Sequence, residues 1–290
     1  YRPVSRGDER TPSPDDEWVV MAKLTVKDLL AAKGKRQLAF VQVARAEEAE
    51  AAAAAGMDMI GTGFRPETFN FPATAVDTHF QFGLIWGHHA SAEEALCEAM
   101  QAMEAGADSI YCAMSPHVIE VLAREGVPVI AHVGLVPPKA TWTGGMRAVG
   151  RTFDQAISVY RETKAFEAAG AFAVEMEVVP ARLAAEITSR TSLLTISLGS
   201  GAGCDVEYLF SADLLGENRG HIPRHAKTYR NFAAERDRLQ TERIGAYSEF
   251  IADVKSGAFP EDRHIVGITD NEFELFLDAV TNDTDVEIGA

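Results

Sequence analysis

From Lys35 onward, short apolar runs alternate with longer stretches of helical period. The runs are Leu38–Val43, Met57–Gly61, Phe82–Trp86, Ser109–Cys112, Val127–Val133, Phe172–Met176, Leu193–Leu198 and Phe210–Leu215, each of strand length. Between most of them lie stretches such as AEEAEAAAAAG, SAEEALCEAMQAMEAG, SPHVIEVLAREG and FDQAISVYRETKAFEAAG, with apolar residues three and four apart. Several end in Gly just before the next run, a common helix stop, and Ser91 precedes Glu94 at capping-box spacing. Strands separated by helices in this number predict an α/β fold, a (β/α)8 TIM barrel occupying residues 21–262. An open doubly wound sheet is the weaker alternative, because no GxGxxG turn follows the first strand and a count of eight suits closure.

The two ends read differently. Residues 1–20, YRPVSRGDERTPSPDDEWVV, show no helical or strand period and are expected to form a flexible N-terminal arm. Met21 opens MAKLTVKDLLAAKGKR, an ordinary-looking start, so the arm reads as an extension outside the fold. Residues 263–290 form an expected C-terminal helical extension with a short amphipathic stretch in an acidic segment, either a surface helix or an arm packed on a neighbouring subunit.

Composition narrows the function classes. The 43 Asp and Glu outnumber the 27 Lys and Arg, for a net charge of −16. That charge, without any basic cluster, opposes nucleic acid and anionic membrane as partners. No apolar run approaches the roughly 20 residues that cross a bilayer. Three scattered cysteines without a CxxC pair suit a reducing compartment, so a cytoplasmic location is expected. A small anionic substrate remains compatible, because the local field of a site need not share the sign of the whole surface.

Barrel chemistry is built where strands end. The residues there include Arg65 after strand two, His88 and His89 after strand three, Tyr111 and Cys112 in strand four, and His132 in strand five. Glu175 and Glu177 follow in strand six, and the loop of Gly199, Ser200, Gly201 and Gly203 after strand seven. Glu177 alternates with Glu175, so both carboxylates face one side of the strand or straddle its end. A partly desolvated carboxylate at a barrel mouth acquires a raised pKa and can act as a general base; a structural ion pair is the plainer reading. His132 is either a hydrogen-bonded core residue or a catalytic partner. Arg65 can grip a carboxylate bidentately, and the glycine loop offers backbone N–H groups to an anion. His88, Cys112 and His132 are possible borderline metal ligands, although the adjacent His88 and His89 point to opposite faces.

AHVGLVP, TGGMRAVGRT, AFEAAGAFAVEMEVVP and GHIPRHAKTYRNF stand in the order and spacing of a known family: the chain resembles the ketopantoate hydroxymethyltransferases over roughly Leu24 to Pro260. The resemblance implies a barrel of the phosphoenolpyruvate mutase and isocitrate lyase superfamily and a homo-oligomer. It also implies hydroxymethyl transfer from methylenetetrahydrofolate to a 2-oxo acid chelated by Mg²⁺. Within it, Glu177 matches the acid/base glutamate and His132 the histidine near the substrate. The family holds its metal with an Asp-Ser pair after strand two, an Asp after strand three and a Glu after strand four. Phe64, Gly83 and Ala113 fall at or beside those carboxylate positions, and Tyr111 and Arg65 replace a lysine and a serine. The hard-oxygen set that Mg²⁺ requires is thus missing, no metal is assigned, and the cofactor is left undetermined, with folate implied only for a true hydroxymethyltransferase. The expected function is C–C bond chemistry on a small 2-oxo acid: lyase, aldolase or hydroxymethyltransferase. Glu177 and His132 would be catalytic; Arg65, Tyr111, His88, Gly199, Ser200 and Gly201 would bind substrate. The alternatives are a hydrolase or decarboxylase with a His/Cys metal site, and a silent metabolite-binding homologue.

Overall fold

A computed structural model describes residues 23–282; the expected arm at 1–20 and the end of the C-terminal extension lie outside them. Eight parallel strands close into a barrel in sequence order: β1 (Leu38–Gln42), β2 (Met59–Gly63), β3 (His79–Gly83), β4 (Ser109–Tyr111), β5 (Val129–Gly134), β6 (Ala173–Glu177), β7 (Leu194–Leu198) and β8 (Val206–Phe210). Around them run α1 (Val26–Ala32), α2 (Ala46–Ala54), α3 (Ala92–Glu104), α4 (Pro116–Arg124), α5 (Ala140–Thr143), α6 (Phe153–Ala168), α7 (Ala181–Ser189) and α8 (Ser211–Leu214). The four long helices read from the sequence are α2, α3, α4 and α6. Gly56, Gly106, Gly126 and Gly170, which follow them, all take the positive φ of a helix stop. Ser91 caps α3 by accepting from Glu94 N, but the Glu94 carboxylate returns to Ala90 N, one residue outside a true capping box.

Two strands differ from expectation. The third occupies His79–Gly83 rather than Phe82–Trp86, because its inward residues His79 and Gln81 are polar yet buried. His79 is satisfied there: Nδ1–H donates to the Leu24 carbonyl and Nε2 accepts from the Ser109 hydroxyl, each at 2.9 Å. The eighth lies at Val206–Phe210 rather than Phe210–Leu215; Val206 and Tyr208 alternate into the interior, and Ser211–Leu214 turn into a short helix. Apolar runs alone do not reveal such strands.

Two cores result. Leu38, Phe40, Met59, Ile130, Leu194, Ile196 and Tyr208 fill the barrel interior, while residues of opposite parity, such as Ile60, Phe82, Cys112, Val133 and Met176, pack outward under the helices. No helix separates β7 from β8. The Gly199–Gly203 loop makes the connection, with Gly201 and Gly203 pressed against Ala181 and Ala185 of α7, where a Cβ would come within 2.8 and 2.5 Å.

The chain divides into two compact units, the first ending at Asn231 and the second beginning at Phe232. The second unit carries α9 (Phe232–Ser256) and α10 (Asp270–Asn282). Among the described residues no helix is long and apolar enough to cross a membrane.

Candidate active site

The site follows from the strand pairing. β4, β5 and β6 are neighbours, with His132 opposite Glu175 and Gly134 opposite Glu177. Tyr111, His132, Glu175 and Glu177 thereby meet in the barrel interior. The Tyr111 hydroxyl lies 2.6 Å from His132 Nδ1, and His132 Nε2 lies 2.8 Å from the Leu135 carbonyl. A carbonyl can only accept, so Nε2 carries the proton, Nδ1 accepts, and Tyr111 donates to it. Burial makes the same choice, pushing the His132 pKa down to about 4 and keeping the ring neutral.

The two carboxylates flank that ring. Glu177 Oε2 lies 3.5 Å from Nε2, and Glu175 Oε1 lies 4.0 Å from Nδ1. Burial raises the Glu177 pKa to about 7, where a general base is most useful near neutral pH. Glu175 is held well above the ordinary carboxylate range, first by burial and then by Glu177 beside it. Burial and the same two carboxylates keep the Tyr111 phenol protonated.

The backbone around Glu177 is clamped. Its carbonyl accepts from Leu135 N at 2.9 Å, and the N–H of the next residue, Val178, donates to the Leu198 carbonyl at 2.9 Å. Val178 takes φ of 51°, a left-handed conformation that costs a β-branched residue about 1–3 kcal/mol. Gly134, at φ 90°, lies so close that a Cβ there would stand 2.4 Å from the Glu177 carbonyl oxygen. Gly134→Ala is therefore expected to destabilise the protein by about 2–4 kcal/mol, read as a lower urea midpoint at unchanged m-value.

The other sequence-predicted residues distribute unevenly. Arg65 is exposed at the end of β2 and leans back over Gly63, whose Cβ, if present, would lie 4.0 Å from its Cζ. Gly63 pairs with Gly83, which sits against the Tyr111 ring; over Gly63 the Ile85 side chain lies closer than Arg65, at 2.9 Å from where a Cβ would stand. His88 does not stand at a strand end: with β3 shifted, it is exposed in the turn that follows, beside His89, which pairs with Glu98. Ser200 is fully buried and its hydroxyl is committed, donating to the Met176 carbonyl and accepting from Val179 N; it ties β6 to β7. The His225 ring rests on Gly199, and Gly201 is needed against α7. Sequence reasoning missed Lys139, whose Nζ donates to the Ala113 carbonyl at 3.0 Å and brings a cation beside the end of β4. Only a lysine in the loop after strand five hinted at it.

The metal readings meet two obstacles. At or beside the positions where the family resemblance calls for acidic ligands, Phe64 is buried against Phe69 and Phe82, Gly83 has no side chain, and Ala113 is buried. This donor set does not fit Mg²⁺. A site from His88, Cys112 and His132 is not assembled either, since Cys112 belongs to the outer core and His132 faces the interior. Among the described residues, one trio, His132, Glu175 and Glu177, has potential ligand atoms all within 4.8 Å. Both ring nitrogens of its histidine are already bonded, to Tyr111 and Leu135, which leaves no imidazole lone pair for an ion.

The sequence profile described as ketopantoate hydroxymethyltransferase matches residues 80–262. A 3-methyl-2-oxobutanoate hydroxymethyltransferase of Thermus thermophilus is 33% identical over 83% of this chain and 98% of its own length. That of Pyrococcus abyssi is 31% identical over 91% and 100%. Against the enzyme "1" of Methylibium petroleiphilum, the chain spans about half the relative's length, 53%, at 35% identity over 57% of this chain. A solved structure of a provisionally assigned phosphonomutase from Burkholderia cenocepacia J2315 matches in fold, with a TM-score of 0.50 and 17% identity over 64% of this chain and 91% of that one. With a profile covering most of the barrel and relatives aligned over most of both lengths, the chain belongs to the ketopantoate hydroxymethyltransferase family.

Proposed function

We propose that this protein catalyses C–C bond chemistry of the hydroxymethyl-transfer or aldol type on a small 2-oxo acid resembling 3-methyl-2-oxobutanoate, and that it does so without a Mg²⁺ site. One observation carries the reading: the base, Glu177, with its histidine and tyrosine, is built and clamped, while Phe64, Gly83 and Ala113, which the sequence places at or beside the family's acidic ligand positions, offer no side-chain oxygen. The Glu177 carboxylate takes the proton from the carbon beside the carbonyl. The C–H electron pair becomes the new C=C bond, and the carbonyl π pair moves onto oxygen as an enolate. The enolate C=C pair then forms a new C–C bond to a formaldehyde-level carbon and the C=O is restored; the electrophile's own C=O π pair moves onto its oxygen, which takes back the proton held by Glu177. With methylenetetrahydrofolate as donor, water supplies that oxygen and tetrahydrofolate leaves as its C–N bonds break. Arg65 at the mouth, with Lys139 nearby, supplies positive charge for the substrate carboxylate in an otherwise acidic protein. His132 and Tyr111 hold the interior in one protonation state, so Glu177 works against a fixed neighbour.

The three cysteines are free, which suits the cytoplasm, and the exposed apolar side chains Phe273, Phe276 and Leu277 of α10 suit burial by another copy in a homo-oligomer. The test of the functional reading is solvent deuterium exchange into 3-methyl-2-oxobutanoate by protein stripped of divalent ions and kept in chelator. Exchange is expected to persist at the untreated rate. Exchange that appears only on adding Mg²⁺ would contradict the metal-free reading.

A further inference from the structure

Glu175 has no task in the chemistry above, yet its surroundings are unusual. Its side chain is only 8% exposed, faces the barrel interior two residues before Glu177 on the same side of β6, and has a ligand oxygen within 4.8 Å of one from Glu177. Among the described residues no Lys or Arg nitrogen forms an ion pair with either carboxylate. The hydrogen-bearing groups around Glu175 have already placed their hydrogens elsewhere. Tyr111 donates to His132 Nδ1, His132 Nε2–H donates to the Leu135 carbonyl, and the Tyr208 hydroxyl donates to Gln42 Oε1. An ionised Glu175 would thus be a buried anion with no donor and a like charge as its neighbour, which is among the costliest arrangements in a protein interior. A neutral carboxyl group has the opposite need: it holds one O–H, and the acceptor beside it, the Glu177 carboxylate, is itself protonated once it has taken the substrate's proton.

We infer that Glu175 is an uncharged, proton-bearing carboxyl group whose O–H is the hydrogen-bond donor to the substrate's enolate oxygen, in the place where a bound cation would otherwise balance that charge. The inference rests on the functional reading above, since it needs a 2-oxo acid at Glu177. The pairing suits the reaction: the oxygen gaining charge is borne by the carbon next to the one losing its proton, and the base and the acid are neighbouring inward side chains of one strand. No proton is transferred from Glu175; it donates a hydrogen bond that strengthens as charge develops on oxygen, so it favours the transition state over the ground state. The titratable groups facing it are Tyr111 from β4, His132 from β5, Glu177 from β6 and Tyr208 from β8. Burial keeps both phenols protonated and the imidazole neutral, which leaves Glu177 as the one neighbour that changes charge near neutral pH.

Two measurements on the full chain test this. The first is infrared difference spectroscopy at pH 8, where Glu177 is mostly ionised. A carboxylic-acid C=O band is expected in the wild type and in Glu177→Gln, and is expected to vanish in Glu175→Gln. The second is deuterium exchange into 3-methyl-2-oxobutanoate. Glu175→Leu is expected to lose about 100-fold or more, the scale of removing one oxyanion donor, and Glu175→Gln, which keeps an N–H donor in the same shape, to recover at least about 10-fold of that loss. Absence of the band at pH 8, or equal losses in the Leu and Gln variants with both folded by circular dichroism, overturns the inference. A band present in a wild type that catalyses no exchange instead overturns the functional reading and, with it, the oxyanion role, so the two failures are distinguishable.

Discussion

Glu177→Gln is expected to lower the rate of deuterium exchange into 3-methyl-2-oxobutanoate by about 10²–10⁴-fold, the range a positioned general base contributes. The amide has nearly the carboxylate's shape, so it can occupy the same clamped position between Gly134 and Val178 without the ability to take a proton. KM is expected to change much less than kcat, because Arg65 and Lys139, not Glu177, carry the attraction for the substrate anion. In the wild type the base form predominates above the Glu177 pKa of about 7, so exchange should fall tenfold per pH unit well below it. The residual exchange of the variant should show no such limb. An exchange rate unchanged by the substitution would remove Glu177 from the chemistry.

The same substitution is expected to stabilise the fold at alkaline pH. In the unfolded chain a glutamate titrates near 4.3, while Glu177 in the native protein titrates near 7. Between these values the native state holds a proton that the unfolded state has released, so stability falls as pH rises through that window. Above it both states are ionised and the loss is constant, on the order of 4 kcal/mol for a carboxyl moved from about 4.3 to about 7. Below about pH 4 both states are protonated and the loss disappears. Glu177→Gln should therefore unfold at a higher urea concentration than the wild type at pH 8, and the two midpoints should converge toward pH 4. A variant less stable than the wild type at pH 8 would mean that the buried carboxylate has a stabilising partner after all. A more stable variant, together with the first result, would mark Glu177 as a residue kept for chemistry at the expense of stability.

How much of this could be read from the chain alone depended on which residues faced inward. The alternation of apolar runs with Ala- and Glu-rich stretches was enough for a barrel, because parallel strands buried on both faces are apolar throughout. It was not enough for β3 and β8. His79 and Gln81 in one, and Glu207 in the other, interrupt the apolar signal, and only the folded chain brings His79 its partners, the Ser109 hydroxyl of neighbouring β4 and the Leu24 carbonyl ahead of α1. The shift of β3 also explains why His88, read as a strand-end residue, sits in an exposed turn.

Within the site, the Glu175 and Glu177 alternation was legible because a strand has period two. The Tyr111–His132 bond joins β4 to β5, and sequence separation carries no information about which hydrogen goes to which nitrogen. Ser200 looked like a binding residue because it stands in a glycine-rich loop, yet the glycines are required by the close approach of Ala181 and Ala185, and the hydroxyl by the backbone of β6. Lys139 had no motif to mark it, since its placement depends on where the β5 loop folds relative to Ala113.

The central claim is that Glu177 generates an enolate from a 2-oxo acid in a barrel whose mouth lacks the acidic positions for Mg²⁺. Its most direct test is the pH profile of deuterium exchange by metal-stripped wild-type protein in chelator, followed by nuclear magnetic resonance of 3-methyl-2-oxobutanoate. The expected result is exchange at neutral and higher pH with an acid limb centred near 7. No exchange at any pH until Mg²⁺ is restored, or exchange without an acid limb down to pH 5, would contradict it.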